Sequence, residues 1–263
     1  MVGMVSTFGN KEDLYKRALN SPVGAVDLHN EEQVAQIKDR INAQVQAWIT
    51  SFTGQTRSEY QAYSLYSDSE PRGFTFDKWH VNDGNTDLSF DLFAKVKQVA
   101  QALSGDDVMN LFLTGEPGTG KTSLALALAN QLAINGKTVM FVSTNRLRRM
   151  YEQRYEDDRI NNKLRKTLKL MSTVQVLILD DLGTEAGGQI KPVRRDLVAD
   201  LIDVSDHRYN GRINMPRLST VVTTNNTASE LAQMYDPKLI SRLLPNTEDN
   251  RLEFSGLEDQ RNK

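Results

Sequence analysis

The octet Gly115, Glu116, Pro117, Gly118, Thr119, Gly120, Lys121 and Thr122 fits the pattern G-x-x-x-x-G-K-[ST], and Ser123 follows it. Glycines at these spacings let the backbone turn so tightly that successive N–H groups converge on one anion. A helix opening at Lys121 adds the positive end of its dipole to the same spot. Lys121 can reach the β- and γ-phosphates of ATP, and the Thr122 hydroxyl can ligate Mg2+. The competing reading is a glycine-rich strand-to-helix turn that binds nothing. Its weight falls because an apolar strand precedes the octet and a helix pattern follows, which is the setting such a loop requires.

A second set of residues supplies the complementary chemistry. The run VQVLILDD places Asp180 at the end of an apolar strand, with Asp181 next to it. A carboxylate at that strand end can hold Mg2+, largely through water. Asp181 could polarise an attacking water as a general base. Two carboxylates closing a buried strand are costly unless a cation or hydrogen bonds serve them. The alternative is a solvated turn, since Asp-Asp-Leu-Gly is also turn-like. Asn225, after the strand-like run STVVTT, could orient a water near the γ-phosphate; a plain strand-to-turn asparagine accounts for it equally well.

These residues need elements to carry them. Strand patterns at 111–114, 138–143, 174–181 and 219–225 alternate with helix patterns at 89–103, 121–135, 192–209 and two more up to about residue 171. That alternation predicts an α/β fold with a parallel, doubly wound sheet. The 174–181 run is apolar nearly throughout, as a strand covered on both faces should be. Thr227 with Glu230 forms a capping box, and Asp236 before Pro237 marks another helix start. A short strand, 251–254, closes the pattern. Ahead of the core, Asn30 caps a long helix whose apolar residues Val34, Ile37, Ile41, Val45, Trp48 and Phe52 share one face. The polar stretch from Gln55 to Arg72 reads as a linker. The chain therefore divides into a helical N-terminal region with its linker, 1–72, and a nucleotide-binding domain, 73–263.

Composition removes other chemistries. The absence of cysteine excludes disulfides and thiolate zinc sites. His29, His80 and His207 lie too far apart in sequence to suggest another metal cage. A net charge of −2 provides no whole-molecule field for nucleic acid, so any such contact needs a local patch. The best local candidate is Asn145 to Asp158, where Arg146, Arg148, Arg149 and Arg154 gather with Tyr151 and Tyr155. Arginines track phosphates and aromatic rings stack bases on single strands. Its rival is a solvated helix face balanced by Glu152, Glu156, Asp157 and Asp158. No signal-like start or membrane-length apolar run is present, so a cytoplasmic protein without membrane contact is expected.

The series GEPGTGKT, LILDDLG, TTN and Ser-Arg-Leu at 241–243 resembles the AAA+ ATPases, in particular the bacterial helicase loaders of the DnaC/DnaI type and their IstB-type transposition relatives. FTFDKWHV, from Phe74, and the ending LEFSGLEDQR resemble the same group. The resemblance implies an ATP- and Mg2+-dependent ATPase with slow, assembly- or DNA-dependent hydrolysis. It implies a replicative helicase of the DnaB type and single-stranded DNA as partners, with self-association through the ATP sites. The alternative it leaves is a transposition helper. Arg242 would be an arginine finger reaching a neighbouring subunit, Arg261 a second sensor arginine, and Asn225 the polar sensor. Many AAA+ members carry Glu where this chain has Asp181, which implies a carboxylate withdrawn by one methylene. The N-terminal helix face would then grip the helicase.

Overall fold

The computed structural model describes residues 57–67, 73–79, 85–186, 190–245 and 247–260. These residues belong to one compact unit, Arg57–Lys263. The helix expected from Asn30 to Gly54 lies outside the described residues, as does Arg261.

Five strands form one parallel sheet: β1 (Leu111–Thr114), β2 (Val139–Ser143), β3 (Val176–Asp180), β6 (Ser219–Thr224) and β7 (Arg251–Glu253). Their spatial order is β2-β3-β6-β1-β7. Leu111 registers with Val221, and Ile178 registers with the same valine from the other side. Strand pleating sends alternate side chains to opposite faces. Leu177 and Leu179 of β3 join one apolar cluster, whereas Val176 and Ile178 join the other. Every residue of β3 and β6 is buried, which explains their unbroken apolar or threonine-rich sequence.

Helices α1 (Thr86–Ser104) and α2 (Lys121–Ile134) pack on each other and share the second cluster with the sheet. On the first cluster lie α3 (Thr144–Gln153), α4 (Asp158–Met171), α5 (Arg195–Arg208), α6 (Ala228–Met234) and α7 (Pro237–Leu243). Local sequence sets their starts. Asn85 caps α1 through Leu88 N–H, Asp157 caps α4 through Arg159 N–H, and Asp236 caps α7 through Lys238 N–H. The Thr227–Glu230 capping box is present with both reciprocal bonds. Helix α5 starts at Arg195, later than its pattern suggested. Its C-terminal neighbour Tyr209 opens a small antiparallel pair, β4 (Tyr209–Asn210) with β5 (Met215–Pro216), that the sequence reading did not anticipate. Among the described residues no helix is long and apolar enough to cross a membrane.

The reading of Gln55 to Arg72 as a linker needs correction for residues 57–67. Residues 57–62 are helical. Leu65 bonds both ways with β2, its N–H donating to Phe141 O and its carbonyl accepting from Ser143 N–H, each at 2.7 Å. Tyr60 and Leu65 are buried in the first cluster, and the Tyr66 ring stacks on Phe141 with centroids 5.2 Å apart. The physical reason is the edge of β2. Its unpaired backbone groups need a cover, and this tyrosine-dotted stretch supplies both the hydrogen bonds and the rings.

Candidate functional site

The glycine-rich loop joins the end of β1 to the start of α2. Gly120 holds φ at 99°, a left-handed conformation, and the Trp79 ring lies so close that a Cβ there would sit 2.6 Å from it. At Gly118 (φ 81°) the Asp259 carboxylate takes the space, 2.0 Å from where a Cβ would fall. No other residue type fits either position without displacement. Lys121 is buried and donates to the carbonyls of Gly115 (2.8 Å) and Glu116 (2.6 Å). Thr119 Oγ1 donates to Glu116 O at 2.8 Å, drawing the loop around the ammonium. The first N–H groups of α2 have no acceptor within the helix, so this end can receive an anion.

Strand β3 delivers Asp180 to the same place. Its Oδ1 accepts from Thr122 Oγ1 at 2.9 Å and from Thr223 Oγ1 at 2.7 Å. Its Oδ2 is buried without a hydrogen-bond partner. Burial, helped by the Asp181 charge, pushes the Asp180 carboxyl up to about 6. An orphaned carboxylate oxygen beside a threonine hydroxyl is a donor set suited to a hard cation such as Mg2+. Asp181 has φ 59°, rare for a residue with a side chain. Hydrogen bonds on both sides of the residue hold it there, the Thr184 N–H among them at 3.1 Å. Its N–H donates to Thr223 Oγ1 (2.9 Å), while its carbonyl accepts from Thr144 Oγ1 (2.9 Å) and Thr184 Oγ1 (2.7 Å).

A cavity of about 420 Å3 joins these parts. Gly118, Gly120, Lys121, Thr122, Ser123, Asp180, Asp181 and Asn225 all line it, so residues chosen from distant segments meet at one site. Gly115, Glu116, Pro117 and Thr119 complete the loop without lining the cavity; Glu116 and Pro117 are exposed, whereas Thr119 is buried. The cavity also has walls that sequence reasoning missed: Tyr66, Ser67, Leu126, Phe141 and Gln260. Leu126 and Phe141 sit in correctly expected elements but carry no polar signal. Tyr66 and Ser67 lay hidden in the supposed linker. Gln260 is held by its N–H to Gly118 O at 3.0 Å.

Arg242 does not line this cavity. Its guanidinium pairs with Asp206, also approached by Lys238 at 3.1 Å, and its carbonyl accepts from Asn110 Nδ2. The proposed nucleic-acid patch is corrected at Tyr151. That ring is fully buried in the first cluster and its hydroxyl donates to Asp200, so neither face can stack on a base. The apolar stripe of α3 dictates this, because Leu147, Met150 and Tyr151 fall on the face turned to the sheet. Tyr155 is the exposed ring, with the Arg154 guanidinium 4.7 Å from its centroid. Arg148 pairs with Glu152, Arg146 is half-buried, and Arg149 is exposed.

A phosphate loop between β1 and α2, an acidic end on β3 and the sheet order β2-β3-β6-β1-β7 define a P-loop nucleotide-binding domain with the AAA+ fold. Residues 85–247, well over half of the chain, match the family described as IstB-like ATP binding protein, and the chain belongs to that family. It is 21% identical over 150 residues to the replicative helicase loader DnaC of Escherichia coli (strain K12), spanning 57% of this chain and 56% of that one. It is 33% identical over 129 residues to the insertion sequence IS1162 ATP-binding protein of Pseudomonas fluorescens, covering 48% and 49%. The solved DnaC helicase loader shares the fold with a TM-score of 0.50 at 19% identity, over 70% of this chain and 97% of that one. The chain thus spans about half the length of the curated relatives it matches.

Proposed function

We propose that this chain is an ATP-dependent loader that helps deliver a ring-shaped replicative DNA helicase onto single-stranded DNA. The observation that carries the ATP chemistry is the meeting of Thr122 and Asp180 across the cavity, 2.9 Å apart, beside an orphaned carboxylate oxygen. The loop amides and Lys121 bind the phosphates. Thr122 Oγ1 and Asp180 would hold Mg2+, which when bound neutralises charge on the β- and γ-phosphates. Asp181 accepts the proton of the attacking water, and Asn225, at the end of the neighbouring strand β6, orients that water. Arg242 would act on a neighbouring subunit's γ-phosphate, and this role requires release from Asp206. Arg261 would read the nucleotide within its own subunit. The N-terminal region would grip the helicase, with Arg146, Arg148 and Arg149 touching DNA phosphates.

The sequence similarity to the helicase loader DnaC supports the loader over other ATPases. The higher identity to the insertion-sequence protein favours a second reading, a helper ATPase in transposition. Two measurements separate these readings. Titration with a fluorescent ATP analogue tests the site: binding should vanish in Lys121→Ala, and a variant that binds and hydrolyses ATP normally refutes it. Co-purification with a replicative helicase against a transposase then tests the role. Helicase complex formation supports loading, and exclusive transposase binding overturns it.

A further inference from the structure

Glu185 does not line the nucleotide cavity and, among the described residues, pairs with no basic side chain, yet it is only 7% exposed. Both of its carboxyl oxygens are engaged. Oε1 accepts the hydroxyl proton of Tyr235. Oε2 accepts the N–H of Gly183 at 2.8 Å and lies 3.0 Å from Thr144 Oγ1. The same Thr144 hydroxyl bonds the carbonyl of Asp181, and the same Gly183 N–H lies 3.0 Å from the Tyr235 hydroxyl. Burial pushes the carboxyl above its ordinary range. A group this costly to bury, with no cation beside it, has to be offset by what it organises.

What it organises is the turn after β3. Asp181 is held left-handed, and Gly183 follows at φ 101°. Such backbone persists only where surrounding bonds over-determine it. The Gly183 N–H ends on Glu185, and Thr144 Oγ1, which bonds the Asp181 carbonyl, lies 3.0 Å from the same carboxylate oxygen. The third partner, Tyr235, closes α6 one residue before Asp236, the N-cap of the helix that carries Arg242.

We propose that Glu185 is a positioning residue of the ATP site: its carboxyl locks the Asp181–Gly183 turn in the bend that presents the paired aspartates, and fastens that turn to the base of the Arg242 helix. This rests on the reading of the cavity as an ATP site. It assigns a partner for Asp181 that touches neither nucleotide nor metal. Glutamine cannot substitute. With its oxygen toward Tyr235, the amide NH2 faces the Gly183 N–H, which keeps only the Tyr235 hydroxyl at 3.0 Å; turned over, the amide leaves the Tyr235 hydroxyl proton without its acceptor.

The test compares the full-length wild-type chain with Glu185→Gln, Tyr235→Phe and the double variant. ATP hydrolysis is read as kcat and KM. Displacing a catalytic group by about 1 Å costs on the order of a hundredfold in rate, so kcat should fall roughly ten- to a hundredfold in each single variant. KM for ATP should stay within about twofold, because the loop and Lys121 are untouched. The double variant should be no slower than the slower single one, since both remove the same clamp. A second readout needs no turnover: the gain in fluorescent-ADP affinity on replacing EDTA by Mg2+ should shrink in both single variants, while affinity in EDTA holds. Variants with wild-type kcat and wild-type Mg2+ gain overturn the proposal. So does a loss of affinity in EDTA matching the loss of rate, which marks a general structural role. A wild-type chain that binds no nucleotide refutes the ATP-site reading itself, and the positioning role with it. A binding-competent wild type with unaffected variants refutes the positioning role alone.

Discussion

Asp180→Asn should separate stability from function at this site. The wild-type carboxyl is fully buried, and its pKa stands at about 6 instead of the ordinary 3.8. At about 1.4 kcal/mol for each tenfold change in proton affinity, keeping it ionised costs the folded state roughly 3 kcal/mol at neutral pH. The sign follows from linkage. Between 3.8 and about 6 the folded chain binds this proton more than the unfolded chain does, so stability falls as pH rises through that window and levels off above it. Asparagine removes the titration. Its Oδ1 can still accept from Thr122 and Thr223, while its buried Nδ2 lacks an acceptor and returns about 1–3 kcal/mol of the gain. Thermal melts in EDTA without nucleotide provide the assay. Wild type should lose about 1.4 kcal/mol relative to the variant between pH 5 and pH 7.5, which for a unit of this size is roughly 3–6 °C in Tm. The variant should also lose the stabilisation that Mg2+ with ADP gives wild type. A Tm gap unchanged between the two pH values refutes the reasoning, as does a variant melting far below wild type at pH 7.5.

Arg208 is 3% exposed and donates to Thr220 Oγ1 and to the carbonyls of Met171, Val174 and Ser219. Arg208→Met orphans three carbonyls and should cost about 3 kcal/mol or more in urea unfolding, without acting on nucleotide affinity beyond that loss. Asp259 lays a carboxylate against Gly118 of the phosphate loop. Asp259→Asn should tighten ATP binding about fivefold at low salt, less for ADP, by calorimetry; weaker binding would show that the carboxylate organises the loop. Tyr151→Phe should leave single-stranded DNA binding unchanged while lowering stability by about 1–3 kcal/mol, since it leaves Asp200 without its donor. Salt-sensitive DNA binding lost in that variant at a temperature where it stays folded would restore a role for the ring.

The centre of the site was legible because the chemistry restricts it. A triphosphate needs glycines at fixed spacing, a lysine and a hydroxyl, and these occupy adjacent positions. Asp180 was legible because an apolar run ending in two carboxylates breaks the ordinary rule for a buried strand. Helix starts were readable wherever a side chain caps its own neighbours, as at Thr227 and Asp236. The misses share a different cause. Tyr66 and Ser67 belong to a stretch whose composition is that of a linker, and only the exposed edge of β2 gives it a place to pack. Tyr151 looked like a stacking ring because sequence shows which residues are near in the chain, not which face of α3 meets the sheet. Glu185 stood in plain view after the aspartates, but nothing local signals a partner fifty residues away at Tyr235.

The walls of the cavity divide along the same line as the family match. The phosphate loop, the paired aspartates and Asn225 fall within residues 85–247, whereas Tyr66, Ser67 and Gln260 do not. The inner wall must satisfy the geometry of phosphates and a hard cation, which leaves few sequence solutions. The rim faces no such demand: a stacked ring over β2 and a tail bonded to Gly118 close the cavity here, and other packings would do so equally well. The rim of this chain is therefore the part of the cavity wall that can be changed without touching the phosphate and cation contacts. Asp259, an acid set against the loop that must receive an anion, also lies outside residues 85–247, and the calorimetry of Asp259→Asn decides whether it opposes binding or organises the loop.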